Sequence, residues 1–195
     1  MSMPTDDSLY QGDHHKGEIE IEQVVPLFHN RYIDVYNDSV IFPSGYYGTY
    51  FRIGSPADRS VAVLPVTSDG EVILIKTFRH GVRGWGYEVP KGGVDKGETC
   101  EAAARRELLE ETGYQCDALG YIGAYSMTPD IVGGRLHCYL ARNCVQVGKG
   151  NAEVSEAIAG VTLVRPEAFA ELDALDFQDA LTELLILKYL KGATA

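Results

Sequence analysis

The feature that most constrains this chain is the stretch 92–114, which reads GGVDKGETCEAAARRELLEETGY. It predicts a helix over residues 99–112, because Ala, Glu, Leu and Arg all have high helix propensity. Thr99 is a suitable N-cap residue, and Gly113 stands where helices commonly end with a left-handed residue. We therefore expect one capped helix of about four turns.

Three glutamates of this predicted helix share one of its faces. Glu107 and Glu111 are four residues apart, and Glu107 and Glu110 are three apart, so their carboxylates are neighbours. Like charges at these spacings destabilise an isolated helix by a few tenths of a kcal/mol per pair, and a bound cation would reverse that sign. Oxygen ligands suit a hard ion such as Mg2+ or Mn2+ better than zinc. The three glutamates alone are more typical of a solvated acidic face than of a metal site, so the wider pattern has to decide.

The wider pattern resembles the Nudix box, Gly-x5-Glu-x7-Arg-Glu-aliphatic-x-Glu-Glu-x-Gly-aliphatic. Every fixed position is matched, by Gly92, Glu98, Arg106, Glu107, Glu110, Glu111 and Gly113. Leu108 fits the first aliphatic position, whereas Tyr114 departs from the second, and we expect Tyr114 to pack into the core. The resemblance implies an α+β Nudix fold, in which a mixed central sheet is flanked by helices as an α/β/α sandwich.

Composition and charge narrow the classes of protein to which the chain can belong. A net charge of −11 argues against a nucleic-acid-binding surface, and it makes a polyanionic substrate hard to approach unless a cation binds first. The four cysteines lack Cys-x-x-Cys spacing, which argues against a zinc site and a disulfide framework. The N-terminus shows no signal-peptide pattern and no stretch reaches about 18 apolar residues, so we expect a cytoplasmic protein that does not enter the membrane.

The chain divides by composition into three parts. Residues 1–17 are polar and contain glycine, which is typical of a frayed terminus. Residues 18–57 contain short alternating segments that predict a small N-terminal antiparallel β subdomain of two or three strands, and residues 58–195 hold the Nudix domain. Because so small a sheet is only marginally stable alone, we expect it to pack on the main domain or on a second subunit.

Three further patterns predict elements of the main domain. Residues 59–78 predict a hairpin of two nearly continuously apolar strands, which is typical of central strands. Apolar and less apolar side chains alternate from Leu136 to Ala141, which predicts a half-buried strand. Asp176 is a candidate N-cap for a last helix.

Outside the box, the chain is similar to the ADP-ribose pyrophosphatase branch of the Nudix family. The similarity lies in the N-terminal strands, in Phe78-Arg79, in Glu88-Val89-Pro90 and in Pro129, which stands 15 positions after Tyr114. One departure leaves the substrate open. The branch usually has Pro-Ala-Gly before the box, whereas this chain has Pro-Lys-Gly-Gly, which is commoner in hydrolases of dinucleoside polyphosphates and diphosphoinositols. There, the Lys91 side chain would contact a terminal phosphate that ADP-ribose lacks.

The resemblance implies Mg2+-dependent hydrolysis of the pyrophosphate bond in a nucleoside diphosphate derivative, with Mn2+ as a substitute ion. For this branch, the expected reaction converts ADP-ribose to AMP and ribose 5-phosphate. The alternatives are a dinucleoside polyphosphate and another nucleotide sugar of the GDP-mannose type. A non-catalytic Nudix module that binds a nucleotide is an alternative of another class, which the presence of Glu107 and Glu111 disfavours.

The same resemblance assigns the metal and the catalytic groups. The catalytic candidates in the box are Glu111, Glu107 and Arg106. The metal-binding candidates are Glu107, Glu110, Glu111, Glu98 and the carbonyl oxygen of Lys91. Glu98 either orients Arg106 or binds the metal through water. A general base is expected in the loop before the penultimate strand, where Glu156 matches best and Glu153 is second, unless both are solvated loop acids.

The substrate-binding candidates are Arg79, Arg52, Trp85, Glu88 and Pro129. The two arginines are candidates for phosphate binding. The glycines around Trp85 indicate a loop that a ligand can approach closely, unless Trp85 is simply a buried side chain. In this branch the N-terminal sheet builds a homodimer and contributes residues to the partner's site, so we expect a homodimer that binds a small nucleotide substrate.

Overall fold

The computed structural model describes residues 9–54, 59–152, 156–171, 176 and 178–192, and the chain forms two compact units. One unit comprises the chain before Arg59 together with Ser126–Gly134, and the other comprises Arg59–Tyr125 and the chain from Arg135 onward. The loop 126–134 therefore belongs with the N-terminal strands. The boundary expected between residues 57 and 58 lies outside the described residues.

The first unit is a four-stranded antiparallel sheet, one strand more than the largest sheet expected. A short 3-10 helix, His14–Lys16, precedes the strands β1 (Glu20–Gln23), β2 (Pro26–His29), β3 (Asp34–Ile41) and β4 (Tyr47–Gly54). β4 pairs with β3 along its whole length, and β1 and β2 pair in succession with the opposite edge. Ile53 holds the loop 126–134 against β4, because its N–H donates to Ile131 O at 2.7 Å and its carbonyl accepts from Gly133 N at 2.8 Å.

In its described residues, the second unit contains eight strands and two α-helices. Its elements are β5 (Arg59–Thr67), β6 (Val72–Arg79), β7 (Gly84–Glu88), β8 (Lys91–Gly93), α1 (Cys100–Thr112), β9 (Tyr114–Gln115), β10 (Ala118–Tyr125), β11 (Arg135–Gln146), β12 (Ile158–Val164), a 3-10 helix (Pro166–Glu171) and α2 (Ala180–Leu190).

The strands of this unit form one mixed sheet. The main order is β10-β11-β5-β6-β12, and only the β11–β5 pair is parallel among the described strands. The predicted hairpin is present, but β5 and β6 pair only at Val66 and Val72, next to the turn. Beyond that point β8 pairs with β5 and β7 pairs with β6. The segment that joins β7 to β8 therefore crosses from one separated strand to the other, and it is this segment that leads into the box.

Two apolar cores lie on opposite faces of the sheet. Val61 and Val63 pack with Ala104 and Leu108 of α1, whereas the alternate residues of β5, such as Leu64, pack with the α2 side chains. Successive strand residues point to opposite faces, so α1 and α2 cover different faces and the unit is an α/β/α sandwich. This confirms the expected fold class and explains why β5 and β6 are apolar at nearly every position.

Two local predictions were wrong. β11 is not half-buried, because it lies between β10 and β5 and its central residues 138–141 are buried on both faces. The last helix begins later than expected, with Asp179 as its N-cap, while Asp176 accepts a hydrogen bond from Trp85 N at 2.8 Å. The expectation for Tyr114 is confirmed, since it is 8% exposed and packs in the α1 core.

All four cysteines carry free thiols. Within the part of the chain that the structure describes, no helix combines the length and the apolar character needed to cross a membrane.

Candidate active site

Helix α1 supplies the acidic part of the site and is capped as predicted. Thr99 is its N-cap, whose hydroxyl accepts a hydrogen bond from the first turn at 3.2 Å, and Gly113 ends the helix in the left-handed region at φ 77°. Glu107 and Glu111 lie on the buried side, 7% and 5% exposed, whereas the side chain of Glu110 is 44% exposed. The three carboxylates therefore divide into two buried groups and one at the surface.

Arg106 gathers the acidic side chains around it. Its guanidinium donates to both carboxylate oxygens of Glu98 at 2.9 and 3.1 Å, to Glu107 at 2.7 Å and to Glu110 at 3.1 Å. It also donates to the carbonyl of Gly93 at 2.9 Å. These contacts, led by the hydrogen bonds to Glu98, raise the pKa of Arg106. Of the two roles predicted for Glu98, orienting Arg106 is the one for which the structure has a contact.

The turn that enters the box lies directly against the buried glutamates. Lys91 N donates to Glu111 Oε2 at 3.0 Å. At Gly92, a Cβ atom would lie 2.1 Å from Glu107 Oε1, so glycine leaves the room that this carboxylate occupies. The carbonyl of Lys91, a candidate metal ligand, belongs to the same turn.

Neighbouring donors and positive charges only partly offset the effect of burial on the pKa values of Glu107 and Glu111. Burial raises the pKa of Glu111 to about 8; the hydrogen bond from Lys91 N lowers it by less, and the charges of Glu107 and Glu156 raise it further. Burial also raises the pKa of Glu107, against the opposing effect of Arg106. A divalent cation would supply the missing charge, and an oxygen-only donor set fits a hard ion.

The carboxylates would have to reorient to bind such an ion. Among the described residues, no three acidic, histidine or cysteine side chains are already grouped as metal ligands. Arg106 lies between Glu107 and Glu110 and compensates part of their charge. A cation would therefore compete with the guanidinium for these oxygens.

The loop before β12 brings a further acidic group to the site. Glu156 contributes to the raised pKa of both Glu107 and Glu111, which places its charge near theirs. The beginning of this loop is attached to α1, because Asn151 N donates to a backbone carbonyl of the last helical turn at 2.7 Å. Glu153, the second candidate for the general base, lies outside the described residues.

Glu88 forms a second polar cluster beside the first. It is 1% exposed; both of its oxygens accept hydrogen bonds from Arg79 at 2.5 to 3.1 Å, and Lys91 Nζ lies 2.7 Å from Oε2. Burial by itself raises the pKa of Glu88, but the hydrogen bonds from Arg79 and the charge of Lys91 outweigh it and leave the pKa below its ordinary value. Two predicted substrate-binding residues, Arg79 and Glu88, are thus in contact, with 44% of the Arg79 side chain exposed.

Asp179 and Thr182 of α2 complete this cluster, and sequence reasoning missed both. Asp179 Oδ1 lies 3.5 Å from Lys91 Nζ, and its Oδ2 accepts from Thr182 N at 3.1 Å and from the Thr182 hydroxyl at 2.6 Å. Thr182 Oγ1 in turn accepts from Val89 N at 2.9 Å. An Asp three residues before a Thr at a helix start is a capping signal, but spacing alone does not reveal what else the cap contacts.

Trp85 lies on β7 and is partly buried. Its ring meets Phe78 edge-on, with 5.5 Å between ring centroids, and Lys76 Nζ lies 5.7 Å from the ring centroid. The structure thus gives Trp85 a packing role against Phe78 and leaves part of the residue exposed.

Arg52 and Pro129 belong to the first unit. Arg52 pairs with the buried Asp38, and its guanidinium carbon lies 3.8 Å from the centroid of the Tyr36 ring. Its Nη2 atom is buried and has no hydrogen-bond partner among the described residues. Pro129 lies in the exposed loop 126–134.

The sequence of this chain is similar to those of known proteins. The NUDIX domain family matches residues 56–185. The chain is 31% identical over 161 residues to the ADP-ribose pyrophosphatase of Bacillus subtilis, covering 82% of this chain and 86% of that protein. It is 35% identical over 143 residues to the ADP-sugar pyrophosphatase of Mus musculus, covering 67% of this chain and 64% of that protein.

A solved structure has a similar fold. A crystal structure of an ADP compounds hydrolase superposes with a TM-score of 0.74 at 24% identity, covering 89% of this chain and 95% of that one. Three observations point to the same family: the box residues, the α/β/α sandwich and the family match over residues 56–185. The chain therefore belongs to the Nudix family, in its ADP-ribose pyrophosphatase-like branch.

Proposed function

We propose that the protein hydrolyses the pyrophosphate bond of ADP-ribose in a Mg2+-dependent reaction, giving AMP and ribose 5-phosphate. The observation that carries this proposal is the pair of buried, incompletely compensated glutamates, Glu107 and Glu111, held against the Lys91–Gly92 turn. The relatives named for ADP-ribose and ADP-sugars support the substrate class.

Nudix hydrolases generally need a divalent metal ion. Glu107, Glu110, Glu111 and the Lys91 carbonyl would hold it here, and Glu98 keeps Arg106 in place beside them. When bound, Mg2+ would neutralise phosphate charge and lower the pKa of an attacking water. Mn2+ is expected to substitute because it accepts the same oxygen ligands.

Proton removal and phosphate binding fall to other residues of the chain. Glu156 is the proposed general base, since its charge acts on both buried glutamates, and Glu153 remains the second candidate. Arg79 is half exposed beside the site and is the first candidate for phosphate binding. Arg52 is the second candidate, with 23% of its side chain exposed.

The dinucleoside polyphosphate alternative rested on the Lys91 side chain. That ammonium lies 2.7 Å from Glu88 and 3.5 Å from Asp179, so its charge is already compensated inside the protein. This arrangement favours ADP-ribose, which has no terminal phosphate for Lys91 to contact.

We further propose a homodimer. The first unit exposes several large apolar side chains, namely Leu27, Phe28, Tyr46, Tyr47 and Phe51 at 43% to 68%. Such a surface on a four-stranded sheet is typical of a protein interface. Sedimentation that gives a monomer at micromolar concentration would contradict this part of the proposal.

The substrate is tested by incubating the purified protein and Mg2+ with ADP-ribose, GDP-mannose, NADH and diadenosine polyphosphates, and separating the products by chromatography. We expect ADP-ribose to be cleaved fastest, giving AMP and ribose 5-phosphate. We also expect EDTA to stop the reaction. Faster cleavage of a diadenosine polyphosphate would overturn the ADP-ribose assignment while leaving the reaction class intact. No cleavage of any compound with metal present would overturn both.

A further inference from the structure

The Lys91 side chain interacts with two carboxylates of the protein itself. Lysine at this position distinguishes the chain from the Pro-Ala-Gly pattern that is usual in the branch. The Lys91 ammonium lies 2.7 Å from Glu88 Oε2 and 3.5 Å from Asp179 Oδ1, and the side chain is 23% exposed. An ammonium has three N–H donors, and two of them are directed at these carboxylates. Only the third N–H is left for any other acceptor.

Two ties join the start of α2 to the segment that enters the box. The first tie runs between side chains, from Lys91 Nζ to Asp179 Oδ1. The second joins the backbone N–H of Val89 to Thr182 Oγ1 at 2.9 Å, and the Thr182 hydroxyl donates to Asp179 Oδ2 at 2.6 Å. Asp179 takes part in both ties, with one oxygen in each.

The tied segment presents the backbone groups that face the metal-binding candidates. Lys91 N donates to Glu111 Oε2 at 3.0 Å, and the proposed function gives the Lys91 carbonyl to the metal. Between Glu88 and Lys91 the chain passes from β7 to β8, and the described backbone contact of this crossing is from Val63 N to Pro90 O at 2.9 Å. Strand pairing holds Glu88 and Lys91 at the two ends of this crossing, and side chains of α2 and its N-cap add contacts to Val89 and Lys91.

We propose that Asp179 is a positioning residue for the hydrolysis: with Lys91 and Thr182 it fixes the crossing segment so that the Lys91 peptide is aligned with Glu111. In this arrangement the Lys91 side chain acts on the protein and does not contact the substrate. The proposal rests on the proposed function for its metal-binding and kinetic readouts. Errors of about 1 Å in such a peptide are enough to weaken metal binding and slow turnover.

One substitution can remove the ion pair between Asp179 and Lys91 while residue 179 remains the N-cap of α2. Asn is as good an N-cap residue as Asp, so Asp179→Asn keeps the start of α2 and removes only the charge that faces Lys91. Lys91→Met removes the other charge and leaves Glu88 paired with Arg79. Glu183→Gln is the matched control, because Glu183 is an exposed acid in the first turn of the same helix.

The test combines kinetics, metal binding and unfolding for Asp179→Asn, Lys91→Met and the double variant. We expect each single variant to lower kcat about tenfold with KM for ADP-ribose unchanged, and to weaken binding of Mn2+ alone by about tenfold, measured by electron paramagnetic resonance. The double variant should be no worse than either single variant, because both changes break one tie. Glu183→Gln should match the wild type in all three measurements.

Three results would overturn the proposal. A raised KM in Lys91→Met with wild-type kinetics in Asp179→Asn would mean that the ammonium contacts substrate. Multiplying losses in the double variant would mean that the two residues act independently, and unchanged Mn2+ affinity in both single variants would mean that the tie does not align the site. If Asp179→Asn does not fold, Lys91→Met alone decides between a kcat effect and a KM effect.

Failure of the proposed function would look different. If the wild type cleaves no nucleotide but the single variants still bind Mn2+ more weakly and their losses in thermal midpoint do not add, the tie is real and the substrate assignment is wrong. If the wild type cleaves ADP-ribose and the variants bind Mn2+ normally, the substrate is right and the tie has no positioning role.

Discussion

Glu88 and Glu111 are both buried glutamates of the same sandwich, 1% and 5% exposed, but their surroundings shift their pKa values in opposite directions. Two cations, Arg79 and Lys91, surround Glu88, and their effect outweighs burial. Glu111 accepts a hydrogen bond from the backbone N–H of Lys91 and has two acidic neighbours, and burial raises its pKa to about 8. The comparison separates a buried carboxylate whose charge two neighbouring cations compensate from one whose charge lacks that compensation.

Glu111→Gln should show the largest effect on function. The amide still accepts a hydrogen bond from Lys91 N but cannot supply a charge to a metal ion, so kcat/KM should fall by more than about 100-fold. The free energy of unfolding without metal should stay the same or rise at pH 8, because a buried charge is removed. Steady-state kinetics and thermal melts with EDTA measure both; near-wild-type turnover would remove the proposed mechanism.

Glu88→Gln should give the opposite result. It leaves Arg79 and Lys91 beside a neutral amide, and breaking a buried ion pair in this way costs about 3 kcal/mol of unfolding free energy. Urea unfolding of this variant beside Glu111→Gln tests the contrast, with a loss of stability expected for Glu88→Gln and no loss for Glu111→Gln. Equal losses in both variants would show that the two glutamates have the same structural role.

Gly92→Ala tests the site without changing any charge. A Cβ atom at this position would lie 2.1 Å from Glu107 Oε1, so the carboxylate has to move and activity should fall about tenfold or more. Gly160→Ala is the control, because nothing lies within 4 Å of its added Cβ. Wild-type activity in Gly92→Ala would show that the position of Glu107 is not critical.

The pH dependence of the metal-free protein should follow Glu111. Its folded pKa is about 8, above the unfolded value near 4.5, so its contribution to stability is complete below about pH 4.5 and is lost as pH rises to about 8. We expect a fall in thermal midpoint of roughly 5 °C between pH 6 and 8.5. Added Mg2+ should remove most of this fall, and Glu111→Gln should make the thermal midpoint less dependent on pH. A pH-independent midpoint in both the wild type and Glu111→Gln would contradict the assignment of the pH dependence to Glu111.

Much of the box could be predicted from spacing because its physics is local. The cap at Thr99, the end at Gly113 and the common face of Glu107 and Glu111 follow from helix periodicity and chain termination. The apolar strands β5 and β6 were recognisable because both of their faces are covered. Alternation misled the prediction for β11, since burial there depends on the strands beside it and on the helices above and below it.

The Lys91 side chain shows where sequence reasoning stops. Its departure from Pro-Ala-Gly suggested a phosphate contact, and the structure instead places its ammonium beside Glu88 and Asp179, the latter 88 residues away. No pattern near Lys91 predicts that pairing. It arises because the crossing between β7 and β8 lies against the start of α2.

The sequence by itself determined which side chains carry the chemistry: a helix with its glutamates at fixed spacing and a glycine at the start of the box. Tertiary structure alone decided which of these charges are compensated. The number of cations around Glu88 and their scarcity around Glu111 depend on which strand ends and helix ends meet. Desolvation and long-range charge pairing are properties of packing, and for that reason spacing along the chain does not encode them.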